Sequence, residues 1–125
     1  MEGNFGQDAS VAYKPTWFAV PPPSSAFIYL CDGYGSSNVY VFVRAGRFVT
    51  RTYGGKGDRT QHGRFSTVHG CTYDERHGQI AVSDRANSRI EYFTYDDASP
   101  DGFAYASTSD LQPQMGAASL PCNLR

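Results

Sequence analysis

The sequence predicts an all-β fold assembled from repeated units of about four short strands. Three observations lead to this prediction. Nine Tyr, eight Phe and many β-branched residues gather in short runs, and these residue types favour strands. No window shows the sustained periodicity of an amphipathic helix. Thirteen Gly and seven Pro separate the runs, as tight turns between strands require.

The segment from residue 65 to residue 93 shows the strand pattern most clearly. Three runs of apolar or alternating residues occur at its centre, at 68–73, 79–83 and 89–95. His77-Gly78 supplies a turn signal between the first two runs, and the polar stretch 84–88 supplies one between the second and third. Short runs separated in this way predict an antiparallel meander.

The same pattern occurs earlier in the chain. Pro15, Val68 and Pro121 stand at equivalent places with an equal spacing of 53 residues, and Asp32 matches Asp84. A repeat of this length with about four strands in each unit is typical of a β-propeller blade. The sequence therefore predicts a partial β-propeller with about two four-stranded blades.

The predicted elements follow in order. The strands of the first unit are expected at 16–20, 26–31, 38–43 and 47–53, and 103–107 is expected as the outer strand of the second unit. The corresponding division is a linker from a preceding blade (1–14), a first blade (15–53), an inter-blade linker (54–64), a second blade (65–107), and a linker with the start of a third unit (108–125). In the second unit, Asp84 and Asn87 are expected to hold a turn through side-chain hydrogen bonds, and Arg89 is expected to form an ion pair between strands.

Two blades do not close a ring, because propellers close with about four to eight. Two arrangements satisfy this constraint. The chain is either a piece of a longer propeller, or a subunit that completes a ring by symmetry, for example a homo-oligomer of three chains. The first is favoured, because the chain starts and stops within a repeat unit.

The repeat units resemble the NHL repeat, and the resemblance spans nearly the whole chain. The matching residues of the second unit are Val68, His69, Gly70, Asp74, Gly78, Val82, Asp84, Asn87, Arg89, Ile90 and Phe93. Those of the first unit are Pro15, Asp32, Ser37, Val39 and Phe42. The resemblance implies an NHL-type β-propeller.

A narrower resemblance concerns three motifs. DGYGSSNVYVF, FSTVH and SDRANSRI are similar, in this order, to motifs of the peptidyl-α-hydroxyglycine α-amidating lyases, zinc enzymes that cleave a C–N bond to give a peptide amide and glyoxylate. The resemblance implies Tyr34 as catalytic base, His69 as one of three zinc-ligating histidines, and Arg85 as an arginine that holds substrate. Because a zinc site needs further protein ligands, the remaining ligands are expected from outside this chain.

Other functions fit the same pattern. One is a non-catalytic NHL module that binds a protein or peptide at one end of the propeller, with His69 as a structural residue and Tyr34 packed over a neighbouring blade. Another is a metal-dependent lactonase, which fits less well because such sites use acidic ligands and the aspartates here lie in turn motifs.

Charge and hydropathy bear on the partners. The net charge of −1 provides no basic field for nucleic acid, although one stretch is locally positive through Arg44, Arg47, Arg51, Lys56, Arg59 and Arg64. No apolar run is long enough to span a membrane, and residues 1–10 lack the features of a secretory signal. A complete chain is therefore expected in the cytoplasm, whereas a piece of a longer precursor is compatible with the secretory pathway.

The three cysteines are Cys31, Cys71 and Cys122. They show no metal-ligand spacing, and any pairing leaves one of them over. Cys31 and Cys71 lie inside predicted strands, where a reduced cysteine behaves as a small buried apolar residue. We therefore expect reduced, structural cysteines.

Overall fold

The computed structural model describes residues 14–45, 48–95 and 103–111. The predicted linker over 1–14 lies outside this part apart from Lys14, and so does the predicted third unit around Pro121, together with Cys122. The described residues form an all-β structure of two antiparallel four-stranded sheets, which agrees with the predicted all-β class and with units of four strands.

Each sheet is a meander in chain order. Sheet 1 contains β1 (Trp17–Ala19), β2 (Phe27–Asp32), β3 (Asn38–Val43) and β4 (Phe48–Gly54). Sheet 2 contains β5 (Val68–Asp74), β6 (Gln79–Asp84), β7 (Arg89–Tyr95) and β8 (Phe103–Asp110), with a short 3₁₀ turn (Arg85–Asn87) between β6 and β7. The predicted strands agree with these to within a few residues, and the largest difference is that β8 continues beyond the predicted end at Ser107.

The register of the two sheets confirms the repeat. Trp17 pairs with Cys31 in sheet 1, and Gly70 pairs with Ser83 in sheet 2. Cys31 directly precedes Asp32, and Ser83 directly precedes the matched Asp84. Consequently the residues before Trp17 and Gly70, which are Thr16 and His69, occupy equivalent positions.

One difference separates these two positions. In sheet 2, Val68 pairs with Asp84 and Gly70 with Ser83, so the ladder shifts at His69. The residue is therefore the extra one of a β-bulge, a feature that redirects a side chain and occurs often beside functional sites.

The hydrophobic core lies between the two sheets. Several of its aromatic rings pack edge to face, with centroid distances of 5.8 Å between Tyr29 and Phe103, 4.7 Å between Tyr53 and Phe93 and 5.9 Å between Phe65 and Phe93. Burial of each large apolar side chain contributes about 1.5–3 kcal/mol. This core fixes the two sheets against each other and so positions the turns at their ends.

Buried carboxylates organise the equivalent turns of the two sheets. Asp84 accepts hydrogen bonds from Ser66 N at 2.7 Å, Asn87 Nδ2 at 2.8 Å and Arg89 Nε at 2.8 Å. Asp32 accepts bonds from the backbone N–H of Ser36 at 2.9 Å and from its hydroxyl at 2.8 Å. The turn-holding role predicted for Asp84 and Asn87 is confirmed, and so is the ion pair of Arg89 across strands β6 and β7.

The prediction of reduced cysteines is wrong for two of the three. Cys31 on β2 and Cys71 on β5 form a disulfide with a Cα–Cα distance of 6.5 Å. The packing of the two sheets brings these strands together, and this proximity is invisible in a sequence in which the two residues are 40 positions apart. The disulfide therefore joins the sheets covalently.

None of the helical segments in the described part of the chain has the length and apolar character needed to span a membrane.

Candidate functional site

Tyr34 lies in the tight turn between β2 and β3, where its side chain is 57% exposed. The turn is closed by the hydrogen bond from Ser37 N to Asp32 O at 2.8 Å, in addition to the bonds of the Asp32 carboxylate to Ser36. The backbone below Tyr34 is therefore well held, while the phenol itself projects to the surface.

His69 meets Tyr34 from the neighbouring sheet. The phenol and imidazole rings are arranged edge to face, with centroids 5.4 Å apart and an interplanar angle of 90°. His69 reaches this position from the β-bulge on β5. The structure thus brings together two of the three residues that the motifs single out.

Arg85 directly follows β6 and connects to the same region through the backbone. Its N–H donates to Thr67 O at 3.0 Å, and Thr67 N in turn lies 3.3 Å from the hydroxyl of Ser37 in the turn that carries Tyr34. The Arg85 side chain is half-buried. Thr67 therefore links the turn of Tyr34, the start of β5 and Arg85.

Two of these residues carry a buried side-chain nitrogen that lacks a hydrogen-bond partner from the part of the chain that the structure describes. Among the described residues, His69 Nδ1 and Arg85 Nε are the buried side-chain atoms that have no hydrogen-bond partner. An unsatisfied buried polar group costs about 1–3 kcal/mol, and such groups in folded proteins often have a catalytic role or bind water or an ion. Both atoms belong to residues that the lyase motifs identify.

The capacity of these residues to hold a metal is limited. In the described ranges no group of three or more His, Cys, Asp or Glu is arranged to hold a metal ion. His62 Nδ1 contacts Glu91 Oε2 at 2.6 Å and His77 Nδ1 contacts Asp74 Oδ2 at 2.7 Å, and neither imidazole is grouped with His69. His69 alone does not make a zinc site, because zinc needs about three protein ligands.

Sequence reasoning missed the pair formed by His62 and Glu91. The Glu91 carboxylate is fully buried and also accepts bonds from Gly63 N at 3.1 Å and Thr108 Oγ1 at 2.9 Å. The His62 ring stacks on Tyr105 with centroids 4.1 Å apart. The sequence feature that could have revealed the pair is Glu91 itself, a charged residue at an inward-facing position of β7 between Arg89 and Phe93.

His62 also lines a cleft of about 590 Å³. The cleft is lined by Asn38, Tyr53, Gly54, His62, Gly63, Arg64 and Phe103. Because both carboxylate oxygens of Glu91 are engaged, we interpret the pair as the attachment of the 55–65 loop to β7 and not as a reactive site.

Three known proteins that match this chain in sequence share one type of name. No protein-family model matches the chain. The chain is 34% identical over 93 residues to the peptidylglycine alpha-amidating monooxygenase of Rattus norvegicus, covering 73% of this chain and 9% of the relative. The corresponding protein of Mus musculus is 33% identical with the same coverage. The B form of Xenopus laevis is 32% identical over 93 residues, covering 70% of this chain and 10% of the relative.

The chain thus spans about a tenth of the length of these relatives. Among solved structures, an exported protein of Bacteroides fragilis matches with a TM-score of 0.47 and 19% identity, covering 81% of this chain and 28% of that protein. The sequence matches mark the chain as related to part of the peptidylglycine alpha-amidating proteins.

Proposed function

We propose that this chain forms part of an NHL-type β-propeller that acts as a zinc-dependent peptidyl-α-hydroxyglycine amidating lyase. The relatives are named peptidylglycine alpha-amidating monooxygenases, and the lyase reaction is proposed because the three motifs of this chain resemble those of amidating lyases. The observation that supports the proposal best is the edge-to-face contact of Tyr34 with His69, an imidazole that a bulge redirects and whose Nδ1 has no partner in the described structure.

Tyr34 is the proposed base. As its phenolate, it removes the proton of the substrate hydroxyl; the O–H electron pair then forms the C=O bond of glyoxylate while the C–N bond breaks. The proton that Tyr34 has accepted passes to the amide nitrogen, which leaves as the peptide amide, and the phenolate is restored. The exposed phenol of Tyr34 is accessible to a substrate that approaches this end of the sheets.

His69 is the proposed metal ligand, with the remaining ligands outside the described residues. Zinc bound there would lower the pKa of a coordinated hydroxyl. Thr16 occupies the position of sheet 1 that corresponds to His69, and its hydroxyl lies 2.6 Å from Val68 O. The neighbouring sheet therefore offers no second ligand at the equivalent place.

Arg85 is the proposed anchor of the substrate carboxylate. A guanidinium group forms paired hydrogen bonds with a carboxylate, and Arg85 Nε is buried without a partner in the described residues. A carboxylate at this edge would supply the missing acceptor.

A second candidate function is a non-catalytic module that binds a protein or peptide. Exposed aromatic residues near the same edge favour it: Trp17 is 41% and Phe18 59% exposed on β1, and Tyr34 is 57% exposed. Aromatic side chains contribute much of the energy of protein interfaces, so this surface suits an apolar peptide segment.

The test uses the complete protein that carries this chain, whether an oligomer of it or a longer polypeptide. Native mass spectrometry gives the number of copies and the zinc content, and glyoxylate release is then measured with a peptidyl-α-hydroxyglycine substrate. We expect release that depends on zinc and is lost in His69→Ala, while Arg76→Gln in the exposed β5–β6 turn retains it. Equal release by the parent protein and His69→Ala would reject His69 as a zinc ligand, absence of release by the zinc-loaded parent would reject the lyase, and peptide binding without turnover would favour the interaction module.

A further inference from the structure

Three contacts cross from sheet 1 to the start of β5 within a few residues of Tyr34 and His69. The first is the disulfide between Cys31 and Cys71. Cys31 is the third residue before Tyr34, and Cys71 is the second residue after His69. The covalent bond therefore ties the strand that leads into the turn of Tyr34 to the strand that carries His69.

The second contact is made by Gly33. A Cβ atom at this residue would lie 2.0 Å from Val68 O, 2.7 Å from Val68 C and 2.9 Å from Thr16 Cγ2. The atoms of Val68 that it would meet are backbone atoms, which cannot swing away as a side chain can. The missing side chain thus allows the turn of Tyr34 to lie directly against the residue that precedes His69.

The third contact is made by Thr16. Its hydroxyl oxygen lies 2.6 Å from Val68 O and 3.1 Å from Cys31 O. The hydroxyl proton is donated mainly to the nearer acceptor, Val68 O on β5 just before His69, and is shared with Cys31 O on β2, just before the turn of Tyr34.

We propose that these three contacts form an inter-sheet clamp, made of the Cys31–Cys71 disulfide, Gly33 and Thr16, whose role is to position the Tyr34 phenol against the His69 imidazole. The two rings belong to different sheets, and the exposed Tyr34 side chain projects from a turn whose other residues are buried. One edge-to-face contact between rings is too weak to define their separation alone. The clamp fixes the backbone on both sides of the pair and so holds the two rings in contact.

The catalytic consequence of the clamp rests on the proposed lyase function, whereas its geometric consequence does not. A displacement of about 1 Å at a reacting group lowers turnover by roughly a hundredfold. A clamp that holds a base beside a metal ligand is thus expected to act on turnover more than on substrate binding.

The geometric test measures the nuclear Overhauser effect between the ring protons of Tyr34 and His69. Three altered proteins each remove one contact: Thr16→Val removes the hydroxyl, Gly33→Ala adds the obstructing methyl, and the double variant Cys31→Ala/Cys71→Ala removes the disulfide. Val41→Ala is the matched control, because it removes buried methyl groups from β3 of the same sheet but none of the three contacts. We expect the Tyr34–His69 cross-peak to weaken at least severalfold in the three clamp variants and to persist in the control.

An unchanged cross-peak in well-folded clamp variants would overturn the proposal. If the disulfide variant does not fold, Thr16→Val and Gly33→Ala decide the matter, because both retain the covalent bond.

The kinetic test measures glyoxylate release in the same proteins. We expect kcat to fall about tenfold or more, as the proposed misplacement of a catalytic group requires, with KM changed less than kcat. A fall in kcat of similar size in Val41→Ala would show that general loss of stability, not positioning, explains the effect. If the parent protein releases no glyoxylate, the lyase function fails, and the cross-peak measurements still decide whether the clamp exists.

Discussion

The phenol of Tyr34 and the imidazole of His69 meet edge to face at 5.4 Å between ring centroids, although they belong to different sheets. The contact involves the two rings, whereas the proposed base is the hydroxyl group of Tyr34. Contact and chemistry can therefore be separated by removing the hydroxyl alone.

Tyr34→Phe keeps the ring and removes the proposed base. We expect glyoxylate release to fall by roughly 10²–10⁴-fold, the usual contribution of a positioned base, while zinc content and the Tyr34–His69 ring contact persist. Tyr105→Phe is the control, since Tyr105 is also an exposed tyrosine but stacks on His62 away from this edge. Unchanged turnover in Tyr34→Phe would remove Tyr34 from the role of base.

Arg85→Gln tests the proposed carboxylate anchor. A hydrogen bond to a charged group contributes about 1.5–3 kcal/mol, so kcat/KM is expected to fall by roughly 10- to 100-fold, chiefly through a higher KM. Steady-state kinetics with the lyase substrate measure the change, and Arg76→Gln serves as the exposed arginine control. A variant with parent-like KM would show that the carboxylate binds elsewhere.

Arg89→Met tests the buried ion network of sheet 2. The Arg89 side chain is 2% exposed and contacts the buried Asp84 and Glu91 carboxylates at 2.8 Å and 3.2 Å. Its NH2 group also donates to the carbonyl oxygens of Gln61 at 2.9 Å and Arg64 at 2.7 Å. Removing one partner of a buried pair leaves uncompensated charge, so the free energy of unfolding should fall by about 3–5 kcal/mol.

Urea denaturation measures this loss. Arg44→Met is the control, because the exposed Arg44 side chain also donates to backbone carbonyls, those of Pro21 and Pro22, and its removal is expected to cost about 1 kcal/mol or less. A comparable loss in the two variants would argue against a special role of the buried network.

The buried phenol of Tyr29 is expected to make the free energy of unfolding depend on pH in the alkaline range. Burial, with smaller contributions from Tyr95 and Tyr73, raises the pKa of the Tyr29 phenol above its ordinary value. The folded chain therefore retains a proton that the unfolded chain releases above about pH 10. The contribution of Tyr29 to stability is complete below that pH and declines as the pH rises further, by up to about 1.4 kcal/mol per pH unit.

Urea midpoints between about pH 9 and pH 11 check this expectation. Tyr29→Phe should show a smaller decline than the parent protein, whereas Tyr34→Phe, which changes an exposed phenol, should follow the parent. Parallel curves for the parent and Tyr29→Phe would contradict the assignment.

The strands of both sheets could be predicted from the sequence because their physical causes are local. Alternation and β-branched residues indicate strands such as β3 and β7, whose bounds agree with the prediction, and the repeat identifies Asp32 and Asp84 as equivalent residues. The turn role of Asp84 also follows locally, because its partner Asn87 lies three positions away.

The remaining features depend on how the sheets pack. The disulfide of Cys31 with Cys71 arises from the approach of β2 to β5, and the contact of His62 with Glu91 spans 29 positions. The bulge at His69 is a shift in strand pairing that no residue type in this segment predicts. The motifs thus identified Tyr34, His69 and Arg85, but their relative placement required the three-dimensional structure.

Thr16 and His69 occupy equivalent positions in the two sheets but make different contacts. Each residue directly precedes a residue that pairs with the neighbour of a matched aspartate, so the two lie at the same position of the repeat. In sheet 1 this position carries the Thr16 hydroxyl, which contacts neighbouring carbonyl oxygens. In sheet 2 it carries the His69 imidazole, whose Nδ1 has no partner among the described residues. The same position therefore serves an internal contact in one sheet and leaves an imidazole nitrogen open to an outside partner in the other, so the two units are not interchangeable in spite of their common register.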